Sequence, residues 1–435
     1  ITVKVNSHII EIRDSLKLIP FSVSEIGKSF GTKHKKTSIE YEGERHANES
    51  ITDEEKQYIS NDVLVVKEAI EIMYKNGHNK LTIGTCCMTE FLKDYDKDLR
   101  KRLFPDLREF DSPEYQNAWH YIYHSYFGGW CYVVEGKERK IYKDGITLDV
   151  NSLYPSMMHS ISGNRYPIGK PTFWAGNYIP DEAKRNDRYY FVRIKCSFEI
   201  KDGFLPFIKI KDDPLYNSRV CLKSSRPVNS KTGEFYDLVN DDGSDFDNSH
   251  ILTLTMTDYE LFKEHYNFDG EILDGCYFKA TTGLFDFYID KYMKIKMKST
   301  GAQRTEAKLF LNNLYGKMAT KEKSDYKIAR IVDGIVKYTN IVANDKTPGY
   351  IAIGSAITSY SRNFTIKAAQ ANYYGSEKDG FIYADSDSLH INLPINDVKN
   401  VVIDDKKPCC WKLEKKWKTG YFLRAKSYIC LLYTS

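Results

Sequence analysis

The sequence has no Cys-x-x-Cys spacing; its nine cysteines are scattered, and two pairs of them, Cys86-Cys87 and Cys409-Cys410, are immediate neighbours. That pattern speaks against a zinc ribbon or a disulfide scaffold, and a reduced, cytoplasmic protein is expected. No apolar run approaches the ~18 residues a membrane span needs, and no basic-then-apolar leader opens the chain. Neither a membrane anchor nor a signal peptide is therefore expected. Excess charge is also scarce. Lys plus Arg number 63 against 59 Asp plus Glu, a net +4. Such a balance exerts a weak global pull on a polyanion, so any nucleic-acid binding must rest on local clusters of basic residues. Internal repeats and low-complexity tracts are absent.

What is present is length and aromatic mass. The chain has 435 residues, 42% of them hydrophobic, enough for two to four domains. Aromatic residues make up 14%, with 33 tyrosines, which suits either stacking on bases and sugars or an aromatic-rich core. The first residue is Ile1, opening into the strand-like ITVKV, and the last residues are CLLYTS, so both ends read as cut.

The clearest early helix covers 52–75. Thr52 and Glu55 form a capping box, Ile59, Val63, Val66, Ile70 and Met73 recur at helical spacing, and Asn76-Gly77 ends it. Up to about residue 125 the pattern is mixed, basic and helical, facing solvent. YIYHSYFGGWCYVV reads as aromatic strand, glycine turn and strand. GITLDV is a short apolar strand ending at Asp149. Residues 161–283 alternate strand-like runs with Pro, Gly and Asp turns, a mostly β insertion. A basic helical stretch spans 284–320, followed by a charged, loop-rich piece to about 347. Next come a long apolar helix, YIAIGSAITSYSRNFTIKAAQANYY, and the hairpin FIYADSDSLHINL. Helices and strands do not strictly alternate, so the class is α+β.

Asp149, Asp385 and Asp387 dominate the chemistry. Asp385 and Asp387 lie in YADSDS at a hairpin tip, where period-two geometry would send both side chains to one face. Three carboxylates at strand ends repel one another unless cations stand among them. Two Mg²⁺ ions about 4 Å apart are the usual solution for in-line phosphoryl transfer. Asp-x-Asp alone is most often a solvated turn. In GAQRTEAKLFLNNLYGKMAT, Arg304, Lys308, Asn312 and Tyr315 fall at i, i+4, i+8 and i+11 and share a helix face. Phe310, Leu311, Leu314 and Met318 lie on the other side and can pack. Such a cationic face would bind a triphosphate, or would be an ordinary solvated surface.

DVNSLYPS (149–156), KLFLNNLYG (308–316) and YADSDS (383–388) occur in this order and resemble motifs A, B and C of the family B DNA polymerases, DxxSLYPS, Kx3NSxYG and YxDTDS. The departures are Asn313 for the usual Ser and Ser386 for Thr. YFGG (126–129) resembles the YxGG/A motif, KSY (426–428) the KxY motif, and FKATTGLFDFYIDKYMKIK (278–296) the entry to the fingers in the protein-primed branch of phages and linear plasmids. The insertions at 161–283 and about 323–347 are similar to that branch's two terminal-protein regions. The resemblance covers nearly the whole chain.

It implies a right-hand architecture, with an antiparallel palm sheet, small helical fingers and a partial RNase H-like exonuclease domain at the N-terminus. The implied segments are 1–85 for the exonuclease part and 86–160 for the first palm part with motif A. Residues 161–283 would hold the first terminal-protein region with palm strands, 284–322 the fingers with motif B, 323–347 the second terminal-protein region, and 348–435 the second palm part. The start of the exonuclease domain and the thumb would lie outside the chain.

The resemblance also implies roles. Asp149 and Asp387 would hold two Mg²⁺ ions, with Mn²⁺ able to substitute, Asp385 beside them and the Val150 carbonyl adding an oxygen. Tyr154 would stack on the incoming sugar and exclude a 2′-hydroxyl, unless it is a core residue before Pro155. Lys296, Arg304 and Lys308 would hold phosphates, Asn312 and Tyr315 would line the nucleotide pocket, and Tyr383, also a nucleotide-binding candidate, would flank the carboxylates. Tyr126, Gly128 and Gly129 would contact template; Lys426 and Tyr428 would steady the primer terminus.

Tyr58 and Asp62 match the third exonuclease motif, YxxxD, and share a helix face. Lys36 corresponds to a catalytic lysine, and Ser15, Leu16 and Tyr41 to primer-strand ligands. The first two exonuclease motifs are missing, so proofreading is expected to be lacking. The implied partners are template-primer DNA, dNTPs and a terminal protein as primer. A monomer is expected in the cytoplasm of a bacterial host, or in the host cytoplasm if the source is a plasmid of a eukaryote. Competing readings are an inactive fragment that only binds DNA, an RNA-templated or RNA-making polymerase, and a family B enzyme without protein priming. YADSDS in place of YxDD, together with Tyr154, argues against the second. The two insertions argue against the third.

Overall fold

The computed structural model describes residues 2–40, 49–211, 216, 220–229, 232, 234–236, 239, 247–344 and 346–433. In chain order the elements begin with β1 (Thr2–Val5), β2 (His8–Glu11), α1 (Val23–Ser29), α2 (Asp53–Lys75), α3 (Ile83–Phe91), α4 (Lys97–Leu103) and α5 (Ala118–Tyr123). They continue with β3 (Cys131–Val133), β4 (Ile141–Val150), α6 (Leu153–Met158), β5 (Tyr166–Ala175), α7 (Asp181–Lys184), β6 (Arg188–Ile200), β7 (His250–Thr255), α8 (Met256–His265) and β8 (Tyr266–Thr281). Then follow α9 (Asp286–Lys298), α10 (Gly301–Met318), β9 (Lys323–Val332), β10 (Ile335–Asn344), α11 (Ile351–Ala371), β11 (Phe381–Asp385), β12 (Ser388–Ile391), β13 (Trp411–Arg424) and β14 (Ser427–Leu432). The α+β class holds, with antiparallel pairing throughout the named strands.

The chain divides into two compact units, one comprising the described residues of Ile1–Tyr95 with Phe287–Lys317, the other Asp96–Asp286 with Met318–Ser435. In the first unit α2 starts where expected, because the Thr52 side chain accepts from the Glu55 amide while the Glu55 carboxylate accepts from the Thr52 amide. Its buried stripe differs from the expected one. Val65, Ala69 and Met73 are the buried apolar residues, while Ile59 and Val63 are 50% and 60% exposed. The small Ala69 and the neighbouring Gly27 of α1, which lies against Val65, let the helices approach along that face. A stripe of larger residues could not lie as close.

The second unit is built on two sheets. One runs β14-β13-β4-β12-β11-β3 and the other β5-β8-β6-β7. Between them lies one continuous core, which includes Trp130, Leu148, Val150, Leu153, Val192, Phe262, Leu389 and Trp411. α11 enters this core with Ile366, Ala368 and Ala369, and its earlier residues Ile351, Ala352, Ile353, Ala356 and Ile357 are buried as well. Its small and hydroxylated residues make such complete burial possible. Ser361 and Thr365, for example, donate to the carbonyls of Ile357 and Ser361 at 2.8 and 2.7 Å, so no hydroxyl is stranded. The first sheet carries a second, smaller cluster of Ile382, Tyr383, Trp417 and Phe422. Gly145 of β4 is required there, because a Cβ at that position would collide with the Trp417 indole.

Two segments differ from the sequence expectation. The aromatic run expected as a strand before YFGG is the helix α5. Asn117 caps it by accepting from the His120 amide at 3.1 Å, and Trp119 stacks on Tyr123 one turn later, with ring centroids 5.1 Å apart. The aromatic residues are buried by helical packing, which the strand propensity of Tyr and Trp does not report. The piece expected as charged loop is a two-stranded hairpin of β9 and β10. Asp333 and Gly334 turn it with φ 55° and 74°, the left-handed pair that an Asp-Gly hairpin turn requires.

Candidate active site

β4 and the β11–β12 hairpin bring two carboxylates to adjoining strand ends. Asp149, one residue before the end of β4, stands opposite Ser388 of β12 on one side and Lys412 of β13 on the other. The Val150 amide donates to the Asp387 carbonyl at 2.8 Å, which ties the hairpin tip to motif A through the backbone. The tip is tight. Ser386 adopts φ 61°, and the Asp387 amide donates to the Asp385 carbonyl at 2.7 Å.

This turn corrects the expected period-two geometry, which holds only while both residues belong to one strand. Asp385 pairs with the Lys426 ammonium and accepts from the Cys131 thiol at 3.2 Å. Asp387 has Asp149 as its strongest charged neighbour. Surrounding protein lifts the Asp387 pKa to about 6, with the Asp149 charge as the next cause and Asp385 adding to it. The residue still presents exposed surface at the tip. Among the described residues no three Asp, Glu, His or Cys side chains stand close enough to hold a metal ion together. The expected three-carboxylate cluster is thus a pair, Asp149 and Asp387, with Asp385 turned to its lysine. The pair nevertheless fits a divalent cation. Its oxygens are hard donors, the two charges repel, and the Lys412 ammonium lies 3.0 Å from Asp149 Oδ1 as a cation on that carboxylate.

α6 begins within motif A, after Ser152 at φ 52°. Leu153, Pro155, Ser156, Met157 and Met158 of α6 are buried, and Tyr154 is the half-buried member of the helix. The approach to α6 is pinned by Ser156, which donates to the Asn151 carbonyl, and by Asn151, which donates to the Asp404 carbonyl, both at 2.6 Å.

Tyr383 requires a correction. It is fully buried in the small cluster, so it presents no ring to a nucleotide. Its hydroxyl accepts from the Lys426 amide at 2.9 Å and thereby positions the hairpin turn carrying Lys426. Tyr428 is 42% exposed and stacks on Phe422, centroids 5.7 Å apart. His390 supports the same cluster: its Nδ1 meets the Thr147 hydroxyl at 3.1 Å, its Nε2 is buried without a hydrogen bond, and burial drives its pKa down to about 4.

The YFGG loop is held from two directions. The Arg362 guanidinium on α11 donates to the carbonyls of Phe127 and Gly128 at 2.6 and 3.1 Å, while it pairs with buried Asp258. Lys211 donates to the carbonyls of Tyr123 and Tyr126 and lies over the Phe127 ring, 4.3 Å from its centroid. A Cβ at Gly128 would meet nothing, whereas one at Gly129 would stand 2.7 Å from the Ser386 Cβ and collide with its hydroxyl. α11 also holds the Asp385–Asp387 turn, through the Thr365 hydroxyl, which donates to the Ser386 carbonyl at 3.0 Å. Arg362, Thr365, His390, Cys131 and Lys412 escaped the sequence reading. Each acts through a partner remote in sequence, and no local pattern marks them.

In the other unit, α10 exposes Lys308 and Asn312 and half-buries Arg304 and Tyr315, while Phe310, Leu311 and Leu314 are buried. Arg304 donates to the Lys296 carbonyl at 2.6 Å, so two of the three expected phosphate ligands are neighbours. The exonuclease-like residues also come together. Lys36 donates to the Tyr58 hydroxyl and to Asp62 Oδ2 at 2.8 and 2.7 Å, and the bond to Asp62, then that to Tyr58, raises its pKa. Asp62 Oδ1 is buried without a hydrogen bond. Ser15 and Leu16 lie in a short 3-10 turn capped by Asp14, Leu16 being exposed. Tyr41 lies outside the described residues. Among those residues no helix is long and apolar enough to cross a membrane.

Residues 38–401 match the family model of type B DNA polymerases, organellar and viral. The DNA polymerase of Bacillus phage phi29 is 36% identical over 425 residues, which cover 97% of this chain and 67% of that protein. That of Streptococcus phage Cp-1 is 31% identical over 434 residues, covering 99% and 70%. The solved structure of phi29 DNA polymerase with primer-template DNA and incoming nucleotide superposes with a TM-score of 0.77 at 34% identity, covering 97% of this chain and 67% of that one. The post-translocation complex with primer-template DNA gives 0.79 at 35% identity.

Proposed function

The chain belongs to the organellar and viral type B DNA polymerases and is a DNA-directed DNA polymerase; from that premise we propose that it replicates a linear phage or plasmid genome from a protein primer, with strand displacement, by two-metal nucleotidyl transfer. The observation that carries the chemistry is the Asp149–Asp387 pair at adjoining strand ends, where burial and then the Asp149 charge raise the pKa of Asp387 to about 6. Mg²⁺, or Mn²⁺ in its place, would supply positive charge at the attacking 3′-hydroxyl and the leaving phosphates when bound. Asp149, Asp387 and the Val150 carbonyl would hold it. Asp385, occupied by Lys426, orients the turn.

The remaining roles follow from the motifs and from the exposure of each side chain. Tyr154, half-buried on an otherwise buried helix, packs against the incoming sugar and excludes a 2′-hydroxyl. Lys296, Arg304 and Lys308 neutralise the triphosphate, and Asn312 and Tyr315 line its pocket. Tyr126, Gly128 and Gly129 guide the template, while Lys426 and Tyr428 steady the primer end. Residues 161–283 and 323–347 serve the terminal protein. The Lys36–Tyr58–Asp62 trio is an exonuclease remnant without proofreading activity. The enzyme works as a monomer inside the bacterial host.

Primer extension with Mg²⁺ and dNTPs, run beside a gel shift on the same template-primer, tests the polymerase reading. A shift without extension would reduce the chain to a DNA-binding body. Transfer of a labelled deoxynucleotide to a terminal protein tests the priming mode, and extension of DNA primers alone would overturn it.

A further inference from the structure

β13 delivers a cation to the carboxylate pair that no motif contains. Lys412 is the direct cross-strand partner of Asp149 in the antiparallel β13–β4 register. Its neighbours belong to the opposite face of the sheet. Trp411 is buried and stacks on Phe364 with ring centroids 5.6 Å apart and planes 12° from parallel, and Leu413 packs on the main core. Alternation along the strand therefore fixes Lys412 on the Asp149 face. Its Nζ lies 3.0 Å from Asp149 Oδ1, with side-chain exposures of 38% for the lysine and 21% for the aspartate. A lysine so exposed can withdraw its head into solvent on its flexible stem, and a direct contact through one oxygen leaves no room there for a second cation.

We propose that Lys412 is a built-in competitor for the cation position on Asp149, holding the carboxylate in place before a divalent ion arrives and setting how much of that ion is needed to displace it. The proposal rests on the metal-binding reading of Asp149 given above. Because the strand tethers it, the ammonium is present at high effective concentration, and the contest is decided by charge. The divalent ion gains more from the carboxylate pair, while the lysine returns to water at small cost, as expected of an exposed ion pair. Lys426 differs from Lys412, since it engages Asp385, which the Asp149–Asp387 pair does not include. Lys412 is a positioning residue, and its effect should be visible without any reaction.

The test is a Mn²⁺ titration of the whole chain without DNA or nucleotide, at low ionic strength, with free Mn²⁺ followed by electron paramagnetic resonance. Lys412→Met should bind Mn²⁺ about threefold to tenfold more tightly than the wild type, and Lys412→Arg should stay close to wild type. Lys416→Met removes an exposed charge from the same strand and should shift binding by less than about twofold if the effect belongs to the Asp149 contact. Asp149→Asn should weaken binding, and adding Lys412→Met in that background should change nothing further. Circular dichroism checks folding, and Lys412→Gln carries the test if the methionine variant misfolds. Wild-type affinity in Lys412→Met and Lys412→Gln, with Asp149→Asn still weakened, overturns the competitor role alone. Wild-type affinity in Asp149→Asn overturns the metal reading and the proposal with it.

Discussion

The carboxylates at the ends of β4 and β11 and the trio near the N-terminus both set lysine against aspartate, and they differ in how completely the charge is balanced. In the trio one ammonium, Lys36, meets one carboxylate, Asp62, with the Tyr58 hydroxyl as a second acceptor. At the sheet, Lys412 and Lys426 compensate Asp149 and Asp385, and Asp387 is left with a pKa of about 6 through burial and the Asp149 charge. A balanced pair is content as it stands. An excess of negative charge at a strand end favours a further cation, which is why the metal-assisted chemistry proposed above is placed at the sheet site.

The largest effect expected from this contrast is on incorporation. Asp149→Ala or Asp387→Ala should reduce nucleotide incorporation below a few per cent of wild type with DNA affinity retained, because the lost interaction is with charge in the transition state. Asp62→Ala should leave incorporation within about threefold. Extension assays beside gel shifts decide, and an active Asp149→Ala enzyme would erase the distinction.

A smaller effect is expected for Lys308→Ala. An exposed lysine with no ligand changes stability by less than about 0.5 kcal/mol and has no kinetic effect. A lysine on a nucleotide phosphate contributes roughly 1.5–3 kcal/mol, or about a 10- to 150-fold loss of catalytic efficiency on removal. Steady-state kinetics within threefold of wild type would return that face of α10 to solvent.

A third expectation concerns acid. Burial lowers the His390 pKa to about 4 from its ordinary 6.5, with Asp385 opposing and Lys415 assisting. The folded chain therefore binds this proton less readily than the unfolded chain. The stability involved is fully present above pH 6.5 and is lost as pH falls toward 4, by roughly 3 kcal/mol at most. Denaturant midpoints at pH 7 and pH 4.5 should converge in His390→Gln and diverge in wild type. Equal acid sensitivity in the two proteins would remove His390 as the cause.

The smallest effect belongs to the trio. Lys36→Met breaks a partly exposed ion pair and should cost about 0.2–1 kcal/mol, read as a modest shift in thermal midpoint. A loss of several kcal/mol would mean that Asp62 is a buried charge dependent on its lysine, and that the two sites are more alike than proposed.

Much of this organisation was legible from residues alone, and the exceptions share a cause. α2 declared itself through Thr52 and Glu55, α11 through its long apolar run, and the β11–β12 hairpin through the turn-forming YADSDS between apolar strands. All three signals are local. The helix α5 was read as a strand because its aromatic residues favour strands intrinsically, while burial of Tyr121 against Asp274, 2.8 Å from its hydroxyl, was invisible. The β9–β10 hairpin did carry a local signal, Asp333-Gly334, which its charged surroundings obscured. At the site, Asp149 and Asp387 were readable through their motifs. Lys412 was not, since its place depends on a cross-strand register that includes a bulge between Leu413 and Lys415. Tyr383 was misassigned because a motif letter does not say which way the side chain faces.

The close approach of Gly129 to Ser386 means that two distant stretches of chain cannot be mutated independently. A side chain at 129 can be accommodated only if 386 gives way, and Ser386 donates its amide to the Trp130 carbonyl at 2.8 Å. That single amide is consequently a built-in reporter. Its exchange with deuterated solvent should be slow while the glycine loop rests on the Asp385–Asp387 turn and fast whenever the two part. In this way the seating of the glycine loop on the carboxylate turn becomes measurable as the lifetime of one proton.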